Sequence, residues 1–571
     1  MALRALLSFL PLASLITAAP SLEPESLSKR CVHSAEDRSC WGDYDLSTNY
    51  YEVVPDTGVT REYWFNIVNT TASPDGVEKM VLSVNGSIPG PTIIADWGDN
   101  VVVHVTNALQ DNGTSIHFHG IRQNWTMQND GVASLTQCPT APGDTVTYQW
   151  RATQYGSSWW HSHFYVQAAD GIFGGIIING PATANYDNDL GNLAIFDWDH
   201  ETADALVAQA AYSGPPEMAN GLINGTNIFT QDDGTVVGSR WETTFTSGES
   251  YRLRLVNTAA DTHFKFTIDN HTMTVIATDF VPIVPYTTDV VNIAIGQRYD
   301  VIVTANAPAD NYWLRAIAQT ACSDNANPDN IRGIIRYAGN TDSTADPTST
   351  VTASAAVDEC VDEPVESLVP YLKIDASDSA DETDDFAVAF TSEANRFYWY
   401  MSNTTFINQW DDPTIEQVYQ RSIGEDVVFD TAQHVYELPE ADKWVYWIVQ
   451  TGMAVPHPMH MHGHDFWVLG SGDGTFDAST ANLTTVNSPR RDVVLLPADG
   501  WVAFAFKTDN PGIWLVHCHI AWHTSEGLAV QMVERESEMI DLMDVDAMNS
   551  TCTNWDNYVN SVDLAQVDSG I

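Results

Sequence analysis

The sequence predicts an all-β protein of sandwich or barrel type, built from three related domains. Short runs of β-branched and aromatic residues recur between Gly, Asn, Asp and Pro, among them "GPTIIADWGDNVVVHVTN", "GQRYDVIVTA", "WVYWIVQ" and "GWVAFAFKTDNPGIWLVHCH". Several alternate apolar with polar side chains, as a half-buried strand does, and long helical periodicity is nearly absent. Helices should be short and few. The domain count comes from a weak repeat: "VVVHVTN" precedes "SIHFHG", "YRLRLVN" precedes "THFKF", and "VYWIVQ" precedes "HPMHMHGH". At 571 residues the chain is also too long for one core.

Residues 1–30 read as a leader. Arg4, an apolar run from Ala5 to Ile16, and the small residues Thr17, Ala18 and Ala19 have the layout of a cleavable secretory signal. Lys29-Arg30 just before Cys31 suggests a second cut, so a secreted, extracellular protein beginning at Cys31 is expected. The leader run is too short to span a bilayer, and no other stretch is long enough, so no membrane partner is expected. The first domain should cover 31–185, up to the joint in "PATANYDNDLGN". The second should cover 186–340, and the third 341–571, opening on the Ser/Thr/Ala/Asp-rich linker that begins near Ala338.

The chain carries 24 basic and 75 acidic side chains, a net charge of −51. Such a field repels a phosphate backbone and excludes nucleic acid as a natural partner. It suits a soluble exported protein and would attract cations. Nine Asn-x-Ser/Thr sequons, at Asn69, Asn85, Asn112, Asn124, Asn224, Asn270, Asn403, Asn482 and Asn549, fit a glycoprotein, with some sites expected to be too buried for use.

Seven cysteines are an odd number for an oxidising compartment. Cys518 alone sits among histidines and should be the one left over. The other six can form three disulfides.

Four HxH elements carry the chemistry: His117 and His119, His161 and His163, His460 and His462, His517 and His519. With 17 histidines in 571 positions, chance supplies roughly half of one such pair. In a strand, residues i and i+2 share a face, so each pair presents two imidazoles to one site. Eight imidazoles suit copper better than calcium or magnesium, which take oxygen ligands. In "WLVHCHIAWH" the pleat sends His517 and His519 one way and Cys518 the other. On the cysteine side, His457 and His523 complete a Cys plus two His set, the trigonal ligand set of a blue-copper electron-transfer centre. Leu528 occupies the weak axial position, five residues beyond the last histidine. A leucine there has no donor atom, so the reduction potential should exceed that of a methionine-ligated centre. An electron reaching Cys518 has only about 10 Å of extended chain to cross to its neighbouring histidines.

These four segments, in this order, resemble the copper signatures of the multicopper oxidases, and in detail the ascomycete-type laccases, over nearly the whole mature chain. The resemblance implies three cupredoxin-like Greek-key domains and four copper ions. It makes His457, Cys518 and His523 the type 1 ligands and gives His117 and His460 to type 2 copper. His119, His161 and His519 would hold one type 3 ion, and His163, His462 and His517 the other. The middle repeat reads His263-Phe264-Lys265 where its sisters have paired histidines, and is expected to act as spacer and pocket wall.

By the same resemblance the disulfides should be Cys31–Cys40, Cys138–Cys552 and Cys322–Cys360, and the tail "DSGI" should plug a channel to the trinuclear site. Asp130 in "QNDGV" matches a position that relays protons. A middle-domain carboxylate that accepts a phenolic proton is placed at Asp204, with Asp199 and Glu201 nearby. The expected function is one-electron oxidation of phenols and aromatic amines, with His523 as the electron inlet, coupled to reduction of dioxygen to water by a monomer. A ferroxidase or cuprous oxidase is the rival enzyme, and a copper carrier without oxygen turnover the rival of another class.

Overall fold

The computed structural model describes residues 31–571 apart from 343, 563, 565 and 567. The leader and its cut before Cys31 lie outside the described residues.

Each repeat segment marks the same place in its domain. The strands Asn100–Asn107, Ser250–Asn257 and Trp444–Thr451 each pair in parallel with the strand that opens their domain: Thr60–Ala72, Asn188–Trp198 and Glu382–Glu393. Around each parallel pair two sheets stack into a sandwich. The first domain has two four-stranded sheets; the second and third each have a six-stranded and a five-stranded sheet. The fold is thus mostly β, three cupredoxin-like sandwiches in series.

Alternation is clearest in Asn100–Asn107. Val101, Val103 and Val105 are buried, whereas Val102, His104 and Thr106 face outward. Ser250–Asn257 lacks that contrast and is buried almost throughout, because its outer face is covered by the neighbouring domain. The second and third domains share one continuous apolar core, and most of the first keeps its own.

The three disulfides pair as expected, Cys31–Cys40, Cys138–Cys552 and Cys322–Cys360, and Cys518 is free and buried. Cys138–Cys552 ties the first domain to the helix Val545–Val562. That 18-residue helix corrects the expectation of short helices only. Its buried face is limited to Met548, Cys552 and Trp555, too sparse a stripe to stand out from the polar residues around it. The expectation that some sequons are buried also fails. Seven of the asparagines are exposed, and Asn112 and Asn224 are half-buried. No helix among the described residues is long and apolar enough to cross a membrane.

Candidate metal centres and donor cavity

The strand Gly512–Cys518 lies between His457–Met461 and Ala529–Glu534, with His460 opposite His517 and Met459 opposite Cys518. This register puts the two motifs side by side. Cys518 Sγ lies 3.7 Å from His457 Nδ1 and 3.6 Å from His523 Nδ1, and the two nitrogens are 3.2 Å apart. All three side chains are buried. Burial pushes the Cys518 thiol well up and holds His457 down to about 3. Burial lowers His523 too, with His457 adding to the effect. Two neutral imidazoles and a thiol converging in a dry pocket fit a cation that would draw off the thiol proton. Leu528 is buried, and its backbone bonds to both partners: Cys518 N–H donates to its carbonyl at 3.1 Å, and its own N–H donates to the His523 carbonyl at 2.9 Å.

On the other face of the strand, eight imidazoles gather from the first and third domains. His117, His119 and His161 form one tight group, His117, His460 and His462 another, and His163, His462 and His517 a third. His519 completes the ring, 5.1 Å from His119 and 5.6 Å from His161 between centroids. The nitrogens that face inward at His117 Nε2, His119 Nδ1, His161 Nε2, His460 Nε2 and His519 Nε2 are buried without a hydrogen-bond partner. Orphaned acceptors packed this densely fit metal ions rather than one another.

The outward nitrogens of six of these rings are engaged, which fixes those rings. His117 Nδ1 contacts the Asp130 carbonyl at 2.8 Å, and His462 Nδ1 the Asp130 carboxylate at 2.8 Å. His460 Nδ1 reaches the Asp492 carbonyl at 2.8 Å, and His119 Nε2 the Asp492 carboxylate at 3.2 Å. His161 and His517 use the carbonyls of Ser162 and Cys518. Burial, with further lowering from neighbouring imidazoles, holds His119, His161, His163, His460, His462 and His519 well below the usual histidine range. Neutral rings are the form a metal takes.

Behind the cluster runs a buried charge chain that sequence reasoning missed. Asp492 pairs with Arg298 of the middle domain, which also lies near Asp279; Asp279 in turn meets Arg491. The middle domain thus braces the site without supplying a ligand. Gly120, at φ +74°, makes room for the brace: a Cβ there would sit 2.4 Å from Arg298 Nη2 and 2.4 Å from Asp492 Oδ2. Three charges in the apolar setting of "RRDVVLL" were the available signal.

A cavity of about 220 Å³ ends on His523. Its walls are mostly apolar, with Phe390, Phe397, Trp399 and Trp522 prominent, and its acids are Asp261 and Glu526. Asp204 is not among them, which corrects its expected place. It occupies the first turn of the helix Ala203–Ser213 and lines a separate cavity of about 360 Å³, with Asp111, Tyr165 and Trp410. The donor cavity meets that helix at its other end, at Ala210 and then Gly214, roughly 9 Å farther along at helical rise. Asp199 and Glu201 do not line the donor cavity either. The tail is docked as the resemblance implied. Ser569 N–H donates to the Ser525 carbonyl at 3.0 Å, Trp410 Nε1–H donates to the Gly570 carbonyl at 3.2 Å, and Ile571 lines a cavity with His161, His163, His517 and His519.

Known proteins agree with this geometry. Residues 66–183, 191–340 and 402–538 each match the multicopper oxidase family, and the chain belongs to it. It is 48% identical to laccase-2 of Botryotinia fuckeliana, over 97% of this chain and 95% of that one. It is 41% identical to a laccase of Cryphonectria parasitica, over 100% and 99%. The crystal structure of a laccase from Botrytis aclada superposes with a TM-score of 0.90 at 47% identity, covering 95% of this chain and all of that one. A multicopper oxidase that functions in iron import gives 0.76 at 26% identity, over 89% and 96%. The protein is a laccase-type enzyme of the ascomycete kind, with four copper ions of types 1, 2 and 3 as cofactor.

Proposed function

We propose that the enzyme is exported and acts as a monomer, taking single electrons from phenols and aromatic amines at His523. The observation that carries the donor class is the cavity itself: apolar, aromatic-walled, sized for one substituted ring and floored by an imidazole of the Cys518 group. In this reading His457, Cys518 and His523 hold type 1 copper, with Leu528 in the axial place. His117 and His460 hold type 2 copper. His119, His161 and His519 hold one type 3 ion, and His163, His462 and His517 the other. When bound, the ions supply a one-electron acceptor and a four-electron store for reducing dioxygen to water.

The chain's own residues orient and move protons. Asp261 replaces Asp204 as the cavity carboxylate. Asp261 lines the cavity, and its Oδ2 is buried without a hydrogen-bond partner. Burial and the nearby Asp197 and Asp324 carboxylates raise its affinity for a proton, as an acceptor for an oxidised phenol requires. Asp130, bonded to His462, holds that ring and is placed to relay protons to the cluster.

A ferroxidase would need open carboxylates at His523. Among the described cavity residues, Glu526 is clamped by Arg396 through two 3.1 Å contacts and Asp261 is buried, so neither offers a hydrated iron ion an open ligand. Oxygen uptake with 2,6-dimethoxyphenol, ferrous iron and ascorbate tests the donor class. The phenol should be fastest, and Asp261→Asn should lower its kcat/KM by about tenfold, the worth of one lost hydrogen bond. Faster uptake with iron than with the phenol would overturn the reading.

A further inference from the structure

The first domain carries an open sheet face far from the donor cavity in sequence. Thr60–Ala72 pairs with Asn100–Asn107, which pairs with Thr145–Arg151, and the register sets Trp64, His104 and Thr147 side by side across the three strands. Glu62 and Gln149 stand in the next row of the same face. Side chains in these rows are exposed or half-buried, whereas the opposite face of the strands holds the domain core. Trp64, in their midst, is 62% exposed.

A single exposed apolar side chain needs no function, but two further features set this one apart. Its indole stacks on the His104 ring, 5.4 Å between centroids at 29°, and His104 is itself held by Thr147 Oγ1 and Glu62 Oε1, each at 2.9 Å. The indole is therefore positioned before a ligand arrives, and little rotamer freedom is lost on binding. Around it stand the side-chain amides of Asn66 and Gln149, both exposed and without a hydrogen bond to another described residue.

We propose that this face is a binding platform for a neutral, equatorially linked polysaccharide, with Trp64 stacked on the C–H face of one pyranose and Asn66 and Gln149 bonding the hydroxyls of its neighbours. A pyranose has an apolar C–H face and a polar rim, and an indole flanked by amides matches both. Equatorial linkage keeps the chain ribbon-like, so successive sugars lie along the sheet; axial linkage curls it away. Charge narrows the class further. The chain's net charge of −51 repels acidic polysaccharides, and Glu62, the one carboxylate in these rows, is already engaged by His104. None of these residues lines the donor cavity, so polysaccharide binding and phenol oxidation are separately measurable.

Holoenzyme with its N-glycans trimmed by an endoglycosidase is titrated calorimetrically with cellohexaose, a soluble β-linked glucose oligomer, and tested for retention on amorphous cellulose. Wild type should bind both. Trp64→Ala should weaken cellohexaose binding by about fivefold, the worth of one stacked ring, with the blue band and phenol oxidation unchanged. Trp64→Tyr, which keeps an aromatic face, should recover most of the loss. Amylose and polygalacturonate should bind more weakly than cellohexaose. No binding by wild type, or equal binding by Trp64→Ala, would overturn the platform, and equal binding of amylose or polygalacturonate would overturn the ligand class. Asn85 heads a sequon and its Nδ2 donates to the Trp64 carbonyl at 2.9 Å, so a glycan of the chain itself is the competing occupant. Cellohexaose binding that appears only after trimming would assign the face to that glycan and overturn the proposal.

Discussion

His517 and Cys518 are neighbours in the chain that serve different sites: His517 Nε2 lies 3.4 Å from His462 Nε2 in the eight-histidine cluster, while Cys518 Sγ lies 3.6 Å from His523 Nδ1 in the other group. The alternation of the strand is what separates them. One peptide unit therefore joins the Cys518 group to the eight-histidine cluster, the proposed electron inlet to the proposed oxygen-reducing end.

The two sites should nonetheless load separately. Cys518→Ser removes the thiolate without touching an inward nitrogen of the cluster. Copper per chain should fall from four to three, with loss of the blue band and of phenol oxidation. Metal analysis together with the visible spectrum checks this; four ions retained would place the thiolate outside the ligand set.

Leu528 is held by backbone bonds to Cys518 and His523, so its side chain can change while its position stays fixed. Leu528→Met offers a thioether to the copper and should stabilise the oxidised state. A tenfold shift in that equilibrium lowers the potential by about 59 mV for one electron. Redox titration of the blue band reads the shift, and a raised potential would contradict the axial placement.

Gly120 tests whether the middle domain's brace matters to the cluster. In Gly120→Ala the added methyl meets Arg298 and Asp492 at 2.4 Å, and φ of +74° is itself unfavourable for alanine. Asp492 orients His119 and His460, so the variant should lose roughly 10–100-fold in cluster copper affinity or in oxygen turnover. Chelator competition measures the affinity. The Cys518 group has no contact with this brace, so its blue band should persist.

The clustered histidines were legible because a strand writes its geometry in period two, and HxH is that period made chemical. Cys518 was legible by parity. Asp204 was misplaced because sequence shows the helix but not which end meets the cavity. Asp261, Trp399 and Asp492 were invisible for one shared reason: each meets its site across a contact between segments far apart in the chain, and local pattern carries no record of that packing. The helix Val545–Val562 was missed because a disulfide and one tryptophan anchor it where a broad apolar stripe would ordinarily do so.

The docked tail should respond to pH through Asp568. Burial pushes its carboxyl up to about 7 from an ordinary 3.8, with Glu526 adding to the rise and Arg396 opposing it. Between those values the docked tail holds a proton that a released tail would give up. Docking is therefore strongest below about pH 4, weakens as pH rises, and loses nothing further beyond about pH 7. Three units correspond to about 4 kcal/mol as an upper bound. Release of Ile571 by a carboxypeptidase should accordingly speed up between about pH 4 and 7 in wild type and level off above. Asp568→Asn keeps the shape without the proton, so under the same protease its release should track only the protease's own pH profile. Identical pH responses in the two proteins would show that another group controls the tail.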